Sequence, residues 1–265
     1  MMKKSDIRIL HITNGLGFGG VQKIIYQLCN GTKDDFSKVM VASCGGEYVS
    51  RLTDIGVDHL TIPDITNKKL QNMIKVYKIL SDAVKRYNIN VIHCHHRMAV
   101  FYAKFFHGKA KIIYNNHTIY SDKPYFTHFV LKNILIVADG IQAKNNVTNF
   151  FKISEKNVKV IYNAVDPFDG IKSEIKEIQD RREKGDFIVL DSSRLHPQKG
   201  INYFIDAAKI LVDKGYKISF FIVGDGVLHD KVVNQIKDLE LQNNIILLGF
   251  RKDIKNVISQ ADILV

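Results

Sequence analysis

The sequence predicts an α/β protein made of two doubly wound, Rossmann-like domains, each with a parallel β-sheet, and three observations lead to this prediction. Short β-branched runs alternate with amphipathic helical patterns from end to end, and this alternation requires parallel sheets with helices on both faces. The length of 265 residues is enough for two compact domains. A stretch with ten charged residues among sixteen, 171–186, interrupts the alternation and predicts a linker between domains 1–170 and 187–265.

The individual elements follow from the period of the apolar residues. Strands are predicted where β-branched and aromatic residues form short runs, and helices where apolar residues recur every three or four positions. The clearest helices are Leu70–Tyr87 and Gly200–Lys214, and a third, Gln22–Cys29, follows the first strand. The predicted strands are Ile7–Ile12, Lys38–Ser43, Asp58–Ile62, Asn90–His93, Lys111–Asn115, Leu135–Ala138, Val158–Tyr162, Phe187–Asp191, Lys217–Val223, Asn244–Leu248 and Ile263–Val265.

The positive charge is concentrated in the first domain. Residues 1–170 hold 23 Lys and Arg against 13 Asp and Glu, whereas residues 171–265 hold 15 against 14. A basic surface attracts nucleic acid, anionic lipid or an anionic substrate. No RNA- or DNA-binding motif accompanies the charge, so we do not expect a nucleic-acid partner.

The sequence shows no sign of secretion or of a membrane span. Charged residues occur among the first eight positions, where a signal peptide needs an apolar core, and no apolar run approaches the roughly 20 residues that cross a bilayer. Cys29, Cys44 and Cys94 form no CxxC pair and are interpreted as reduced thiols, mostly in the core. We therefore expect a cytoplasmic protein.

Two stretches that mix aromatic and basic residues, 97–111 and 123–132, are typical of ordinary amphipathic helices or of peripheral contact with the inner face of a membrane, and both alternatives stay open.

The segment 187–200 indicates function most strongly. The apolar strand Phe187–Asp191 ends in a short polar turn that carries Arg194 and Lys199, and Gly200 begins an amphipathic helix. Free backbone N–H groups, the positive end of the helix dipole and two cations converge in such a turn. The segment therefore predicts a site for an anionic, phosphate-bearing ligand.

Glycine-rich turns follow three other predicted strands. Glycine lets the backbone approach a ligand closely, and ligands of open α/β sheets bind at the carboxyl ends of the strands. None of these turns is a P-loop, because none ends in Gly-Lys-Ser/Thr. The turns are Gly15-Leu-Gly-Phe-Gly19-Gly20, Gly224-Asp-Gly226 and Gly249-Phe250.

Histidines follow two of the strands. The run His93-Cys-His-His96 contains zinc-type ligands, but successive residues of a strand face opposite sides, and no metal site is predicted. The chain also has no Asp-x-Asp pair to hold a divalent ion on a diphosphate. His117 follows another strand and is a candidate cleft histidine; the alternative is a turn histidine bonded to backbone, and spacing does not decide between them.

Taken together, these motifs resemble those of the family 4 glycosyltransferases, retaining enzymes with the GT-B fold that transfer a sugar from a nucleotide-sugar donor. The resemblance covers essentially the whole chain, and its most specific element is the Arg-x4-Lys-Gly segment after a strand. The residues that carry it are Gly19-Gly20, Asn115-Asn-His117-Thr, Asn163-Ala-Val-Asp166, Ser193-Arg194-Leu-x3-Lys199-Gly200, Gly224-Asp-Gly226 and Leu248-Gly249-Phe250.

The resemblance implies how the donor diphosphate is bound. Arg194 and Lys199 would bind its oxygens, and backbone amides at Gly19 and Gly20 would reach the same phosphates. Fixed cations suit this chemistry, because negative charge grows on the nucleoside diphosphate as the glycosidic bond breaks. Neither a cofactor nor a metal ion is implied.

The resemblance also implies the remaining site residues. The backbone at Gly249 and Phe250 would face the nucleobase, and Gly224 would belong to the same donor site. His117 would be the catalytic histidine beside the transferred sugar. The basic first domain would hold a saccharide or lipid-linked saccharide acceptor.

The sequence departs from the family pattern in two places. Gln22 stands where a glutamate is common, and no Glu-x7-Glu pair occurs, although the family's pair normally follows a strand similar to Ala261–Val265. We therefore expect a second domain that is incomplete at its C-terminus, with apolar surface exposed at Ile263–Val265. A second polypeptide could complete it.

The sequence thus predicts a metal-independent, retaining glycosyltransferase acting in polysaccharide or glycolipid assembly. Three alternatives stay open at this point. They are a non-catalytic subunit or impaired fragment, a sugar-nucleotide epimerase of related architecture, and a basic nucleic-acid-binding module. The epimerase would need a pair of acid/base carboxylates, and the sequence offers no clear pair. The nucleic-acid-binding module would need a recognition motif, and none accompanies the charge.

Overall fold

A computed structural model describes residues 3–165, 167–168, 170 and 173–265. The chain forms two compact units, Met1–Ala164 and Val165–Val265. Each unit is an α/β structure around a parallel sheet, as the alternation of strands and helices predicts. Asp166, the last residue of the Asn163-Ala-Val-Asp166 motif, lies outside the described residues.

The first unit is built on a parallel sheet that has seven strands among the described residues. The strands are β1 (Arg8–Ile12), β2 (Lys38–Ser43), β3 (Asp58–Thr61), β4 (Val91–Cys94), β5 (Lys111–Asn116), β6 (Leu135–Ala138) and β7 (Val158–Val160). They are arranged in the order β3-β2-β1-β4-β5-β6-β7. The direction of winding reverses between β1 and β4, and a doubly wound sheet binds its ligand at the carboxyl ends of the strands at such a point.

Helices cover both faces of this sheet because successive strand residues point to opposite sides. Leu10 and Ile12 pack into one core cluster, and Ile9 packs into another with residues of the first two helices. The helices are α1 (Gly20–Thr32), α2 (Tyr48–Asp54), α3 (Leu70–Arg86), α4 (Arg97–Ala103), α5 (Pro124–Leu131) and α6 (Ile141–Asn145).

The second unit has a smaller parallel sheet, with four strands among the residues described. Its elements are α7 (Lys176–Glu183), β8 (Phe187–Ser192), α8 (Ile201–Asp213), β9 (Ile218–Val223), α9 (His229–Asp238), β10 (Ile245–Gly249), α10 (Ile254–Ile258) and β11 (Ile263–Leu264). The strand order is β10-β9-β8-β11. Ile263, Leu264 and Val265 are each about half exposed or more, so apolar surface is exposed at this edge.

The segment between the units differs from the predicted linker over 171–186. The units divide between Ala164 and Val165, and Ile171 and Lys172 lie outside the described residues. The remaining residues belong to the second unit, because Ile175 and Ile178, three positions apart, are buried against its sheet. The charged side chains that suggested a linker thus include the solvent-facing side of α7.

All eleven predicted strands are confirmed, with ends that differ by two residues at most. Two of the three cysteines, Cys29 and Cys94, are buried and all three are free, whereas Cys44 is exposed. Among the residues that the structure describes, no helix is both long and apolar enough to cross a membrane.

Candidate functional site

The predicted donor residues of the second unit lie on loops at the carboxyl edge of its sheet. The loops after β8 and β9 are joined by a hydrogen bond from the Leu195 N–H to the Asp225 carbonyl (3.1 Å). The Gly224 N–H donates to the Gly249 carbonyl (2.9 Å) and joins the loops after β9 and β10. The structure therefore brings Arg194, Gly224 and Gly249 into one loop cluster.

Two glycines make this loop cluster sterically feasible. Gly224 has φ of 146°, and a Cβ placed on it would lie 1.9 Å from the Ser193 carbonyl oxygen. Gly226 has φ of 157°, and its Cβ would lie 2.5 Å from the Leu195 carbonyl oxygen. Only glycine allows backbones to approach this closely in this conformation. The Gly-x-Gly spacing thus holds the loop that carries Arg194.

Lys199 lies at the end of the short helical turn Pro197–Lys199, and Gly200 (φ 66°) then leads into α8. Both residues line a cavity of about 500 Å³, together with Asp191 and Ser193. The Ser193 hydroxyl donates to the Asp191 carboxylate at 2.7 Å. Burial raises the pKa of Asp191, whereas the Ser193 hydrogen bond and the Lys199 charge oppose that shift. The cavity therefore combines a cation, a hydroxyl and a carboxylate that the sequence analysis did not single out.

The third loop of the cluster presents backbone to open space. Gly249 has φ of 63° at an irregularity in the pairing of β10, and a Cβ on it would have no atom within 4 Å. Phe250, which follows it, is 53% exposed. The next cation, Arg251, forms two hydrogen bonds with the Asp253 carboxylate (2.9 and 2.7 Å), so its charge is neutralised locally.

In the first unit, the glycine-rich turn after β1 is open where the sequence analysis placed the ligand. Gly19 is extended (φ 171°), and a Cβ on Gly20 would have no atom within 4 Å. The glycine that packing requires is Gly46, which was not predicted. It has φ of 135°, and its Cβ would lie 2.3 Å from the Leu16 carbonyl carbon.

Gln22 has a structural role that a glutamate could not fill. Its side-chain amide donates a hydrogen bond to the Gly15 carbonyl at 3.1 Å. An ionised carboxylate only accepts hydrogen bonds, so it could not bond this carbonyl. The glutamine therefore ties the glycine-rich turn to α1.

His117 belongs to a group of histidines that strand pairing brings together. His11 on β1 stands opposite His93 on β4 in the sheet register, and His95 follows two residues later on the same face. His11 Nδ1 lies 3.1 Å from His95 Nε2, and His95 Nδ1 lies 3.2 Å from His117 Nε2. Asn115 Nδ2 lies 3.3 Å from either ring nitrogen of His117. The His117 side chain is only 5% exposed.

The hydrogen bonds assign a direction to this chain of imidazoles. Asp139 Oδ2 lies 3.8 Å from His117 Nδ1 and favours a proton on that nitrogen. His117 Nε2 then accepts from His95 Nδ1–H, and His95 Nε2 accepts from His11 Nδ1–H. The buried His11 Nε2, which has no hydrogen-bond partner among the described residues, is left as a lone pair. The opposite direction would bury an unpaired N–H there, which costs more.

Burial keeps these imidazoles neutral. Desolvation lowers the pKa of His93 to about 4 and the pKa values of His11 and His95 well below the ordinary 6.5, and neighbouring imidazoles add to the shift. Desolvation also lowers the pKa of His117, against the attraction of the Asp139 carboxylate. Near neutral pH the group therefore acts through its hydrogen bonds and not through a fixed charge.

Three of these side chains also form a metal-type donor set. His11, His93 and His95 each offer a ligand atom, and these atoms lie within 4.8 Å of one another. Imidazole nitrogens suit zinc. This grouping was not predicted from the sequence, because His11 lies on β1 whereas His93 lies on β4. The hydrogen bonds among His11, His95 and His117 already engage four ring nitrogens without an ion.

The chain resembles known proteins over most of its length. A galactosyltransferase of Escherichia coli, UDP-Gal:alpha-D-GlcNAc-diphosphoundecaprenol alpha-1,3-galactosyltransferase, is 26% identical over 292 residues, which cover 98% of this chain and 73% of that protein. The N-acetylgalactosamine-N,N'-diacetylbacillosaminyl-diphospho-undecaprenol 4-alpha-N-acetylgalactosaminyltransferase of Campylobacter jejuni is 32% identical over 161 residues, which cover 56% of this chain and 42% of that protein.

The predicted GT-B fold is confirmed by solved structures. HepE of Anabaena, crystallised with UDP-glucose, superposes with a TM-score of 0.79 at 20% identity and covers 97% of this chain, which in turn covers 73% of HepE. Residues 172–265 match the family described as glycosyl transferases group 1. Residues 18–167, more than half of the chain, match Glycosyltransferase Family 4. The chain belongs to Glycosyltransferase Family 4.

Proposed function

We propose that this protein transfers a sugar from a nucleoside-diphosphate sugar to a saccharide or lipid-linked saccharide acceptor, with retention of configuration and without a metal ion. The observation that carries the proposal is the loop cluster of the second unit, in which glycine turns hold Arg194 and place Lys199 at a cavity. Relatives named for UDP-galactose and for diphosphoundecaprenol-linked acceptors support the two substrate classes.

Each donor group has a partner in this proposal. Arg194 and Lys199 bind the diphosphate oxygens, and the turn at Gly224 holds the loop that carries Arg194. The exposed backbone at Gly249 and Phe250 faces the nucleobase. Gly19 and Gly20 offer further N–H groups from the start of α1.

The reaction breaks the bond between the anomeric carbon and the diphosphate oxygen, and the electron pair leaves with the nucleoside diphosphate. The acceptor hydroxyl forms the new bond to the anomeric carbon, and its proton passes to the departing diphosphate oxygen. Arg194 and Lys199 stabilise the leaving oxygen as its charge grows, which supplies the role that a divalent ion has in other transferases. His117, fixed through His95 and Asp139 in the first unit, is the proposed catalytic histidine.

Donor binding by the chain of residues 1–265 tests the proposal. We expect UDP to bind, and Lys199→Met to weaken that binding by about 10- to 100-fold, because a charge-assisted hydrogen bond to phosphate is lost. Arg194→Met should have a similar effect, and both effects should persist with a chelator present. The matched control is Lys214→Met, which removes an exposed lysine at the far end of α8. UDP affinity that is unchanged by Lys199→Met would contradict the assignment.

A second candidate function is donor binding without transfer, either as an impaired fragment or as a subunit that needs a second polypeptide. Release of sugar from UDP-sugar, abolished by Lys199→Met, would eliminate this candidate. Binding of UDP without any turnover would support it. For either function we propose a cytoplasmic protein that acts at the inner face of a membrane.

A further inference from the structure

A second cavity, of about 590 Å³, lies in the first unit beside the N-terminal parts of α3, α4 and α5. Its size is in the range of small-molecule sites. No acidic side chain is among the described residues that line it. Its apolar lining comes from Met73, Met98, Phe101 and Phe126, and its exposed cations are Lys68 and Lys123.

Arg97 also borders this cavity, but its charge is already used within the protein. Its guanidinium donates to the Asp122 carboxylate (2.7 Å) and to the Thr127 hydroxyl (3.2 Å), and it stacks over the Tyr120 ring at 4.3 Å. Arg97 therefore holds the loop that precedes α5. The loop in turn presents Lys123 to the cavity.

The two lysines are suited to an anionic group. Lys68 is exposed and is followed by Lys69. Lys123 lies 3.7 Å from Asp122, whose nearest oxygen already accepts from Arg97 at 2.7 Å. Lys123 also adopts a left-handed backbone conformation (φ 49°), which is uncommon for a residue other than glycine and is found at binding sites.

The apolar lining continues out of the cavity as a strip of aromatic rings. Phe126 and Phe101 have ring centroids 6.2 Å apart, Phe101 and Phe105 5.7 Å, and Phe105 and Tyr77 5.3 Å. Phe105 is 61% exposed, and Leu70 on α3 is 72% exposed. Contiguous exposed apolar surface marks a binding site for an apolar partner. An elongated hydrocarbon chain could follow this strip from the cavity to its exposed end.

The cavity is also close to the histidine group. His96 lines it, and the preceding residue, His95, bonds His117. His96 Nδ1 accepts from the Met98 N–H at 3.1 Å, so the neutral ring carries its proton on Nε2. A polar group bound at the cavity is therefore near a hydrogen-bond donor, the Nε2–H of His96.

We propose that this cavity binds the phosphate end of an anionic amphiphile, with the phosphate or diphosphate on Lys68 and Lys123 and the hydrocarbon chain along the aromatic strip. The occupant is the lipid-linked acceptor, so the inference rests on the proposed function and identifies the class of acceptor. The combination of apolar walls with cations and no acidic lining residue favours this occupant over a neutral saccharide.

Binding of farnesyl diphosphate, a short soluble lipid diphosphate, tests the proposal, with farnesol and inorganic diphosphate as half-ligands. We expect saturable binding of farnesyl diphosphate by calorimetry, with each half-ligand at least about tenfold weaker, because each keeps only one set of contacts. Met73→Gln should weaken binding about tenfold through lost apolar contact. Its matched control, Ile74→Gln, changes the next, exposed residue of α3 and should leave binding unchanged.

A double variant, Lys68→Gln with Lys123→Asn, tests the contribution of the two positive charges. Asparagine is used at position 123 because it tolerates a left-handed backbone. This variant should lose the preference for farnesyl diphosphate over farnesol, whereas Lys69→Gln should keep it. Equal binding of inorganic diphosphate, or no effect of Met73→Gln, would overturn the proposal. Binding to anionic vesicles that is insensitive to Met73→Gln would assign the surface to the membrane instead. UDP affinity, measured on the same samples, reports separately on the proposed donor function.

Discussion

The two units carry their chemistry in different ways. In the second unit, exposed loops are held together by glycine backbone at Gly224 and Gly226, and Asp191, Ser193 and Lys199 line a cavity. In the first unit, His11, His95 and His117 are linked within the structure, and their function depends on hydrogen bonds to one another. The comparison shows one site that is set by backbone geometry and another that is set by side-chain pairing across strands.

The largest expected loss of stability is in the loop cluster of the second unit, whose geometry depends on its glycine backbone. Gly224→Ala places a Cβ against the Ser193 carbonyl and should destabilise the second unit by more than about 3 kcal/mol, with loss of UDP binding. Gly215→Ala is the matched control, because Gly215 also has positive φ (76°) but open space around its Cβ position. It should cost only about 1 kcal/mol and keep UDP affinity. Denaturant unfolding and calorimetry measure both, and equal costs would show that the loop contact is unimportant.

A fall in pH should destabilise the first unit more than the second. The pKa of His93 is about 4 in the folded protein against an ordinary 6.5, so the unfolded chain binds more protons as pH falls between these values. The first unit should lose stability over this range, by roughly 3 kcal/mol for a shift of this size. In the second unit, Asp191 has a raised pKa and takes up a proton more readily when folded, which opposes acid destabilisation.

Hydrogen exchange of peptides from each unit, at about pH 7 and about pH 5 and corrected for the intrinsic rate, measures this difference. We expect faster opening at the lower pH in peptides of β1 and β4 than in peptides of β8 and β9. An equal response of both units would mean that the buried imidazoles do not determine the stability of the first.

A smaller effect distinguishes paired from unpaired histidines. His95→Leu removes two hydrogen bonds, one to His11 Nδ1 and one to His117 Nε2, at a cost of about 2 kcal/mol. His93→Leu makes the same chemical change on the same face, where the ring nitrogen Nε2 already lacks a partner, and should cost less. Nitrogen NMR should also show a proton on His117 Nδ1 in the wild type and a mixture of tautomers in His95→Leu. Equal losses of stability in the two variants and an unchanged His117 tautomer would refute the assigned direction of the hydrogen bonds from His11 through His95 to His117.

The loops of the candidate site in the second unit could be recognised in the sequence because backbone turns are local. Gly224, Gly226 and Gly249 are recognisable from glycine placement after apolar strands, and Arg194 and Lys199 stand within one loop. Asp191 was missed because nothing in the sequence shows that its carboxylate borders the cavity. The linker over 171–186 was predicted from charge alone, whereas Ile175 and Ile178 pack the α7 region of this segment against the sheet of the second unit.

The site of the first unit was only partly predictable because it depends on strand neighbours. His117 was recognised by its place after a strand, but its partners His95 and Asp139 follow other strands. His11 joins them because β1 and β4 are adjacent at the reversal of the sheet, a consequence of strand order. An available signal was that the first and fourth strands of a doubly wound sheet are neighbours, which places His11 opposite His93.

Hydrogen exchange of the whole chain with and without UDP tests most directly the central claim that the loop cluster of the second unit recognises the nucleoside diphosphate. We expect UDP to slow exchange of amides in 193–200 and 224–226, and Lys199→Met to remove this protection. No slowing in these two loops at a saturating UDP concentration, or slowing confined to the cavity residues in 66–73 and 96–101, would contradict it.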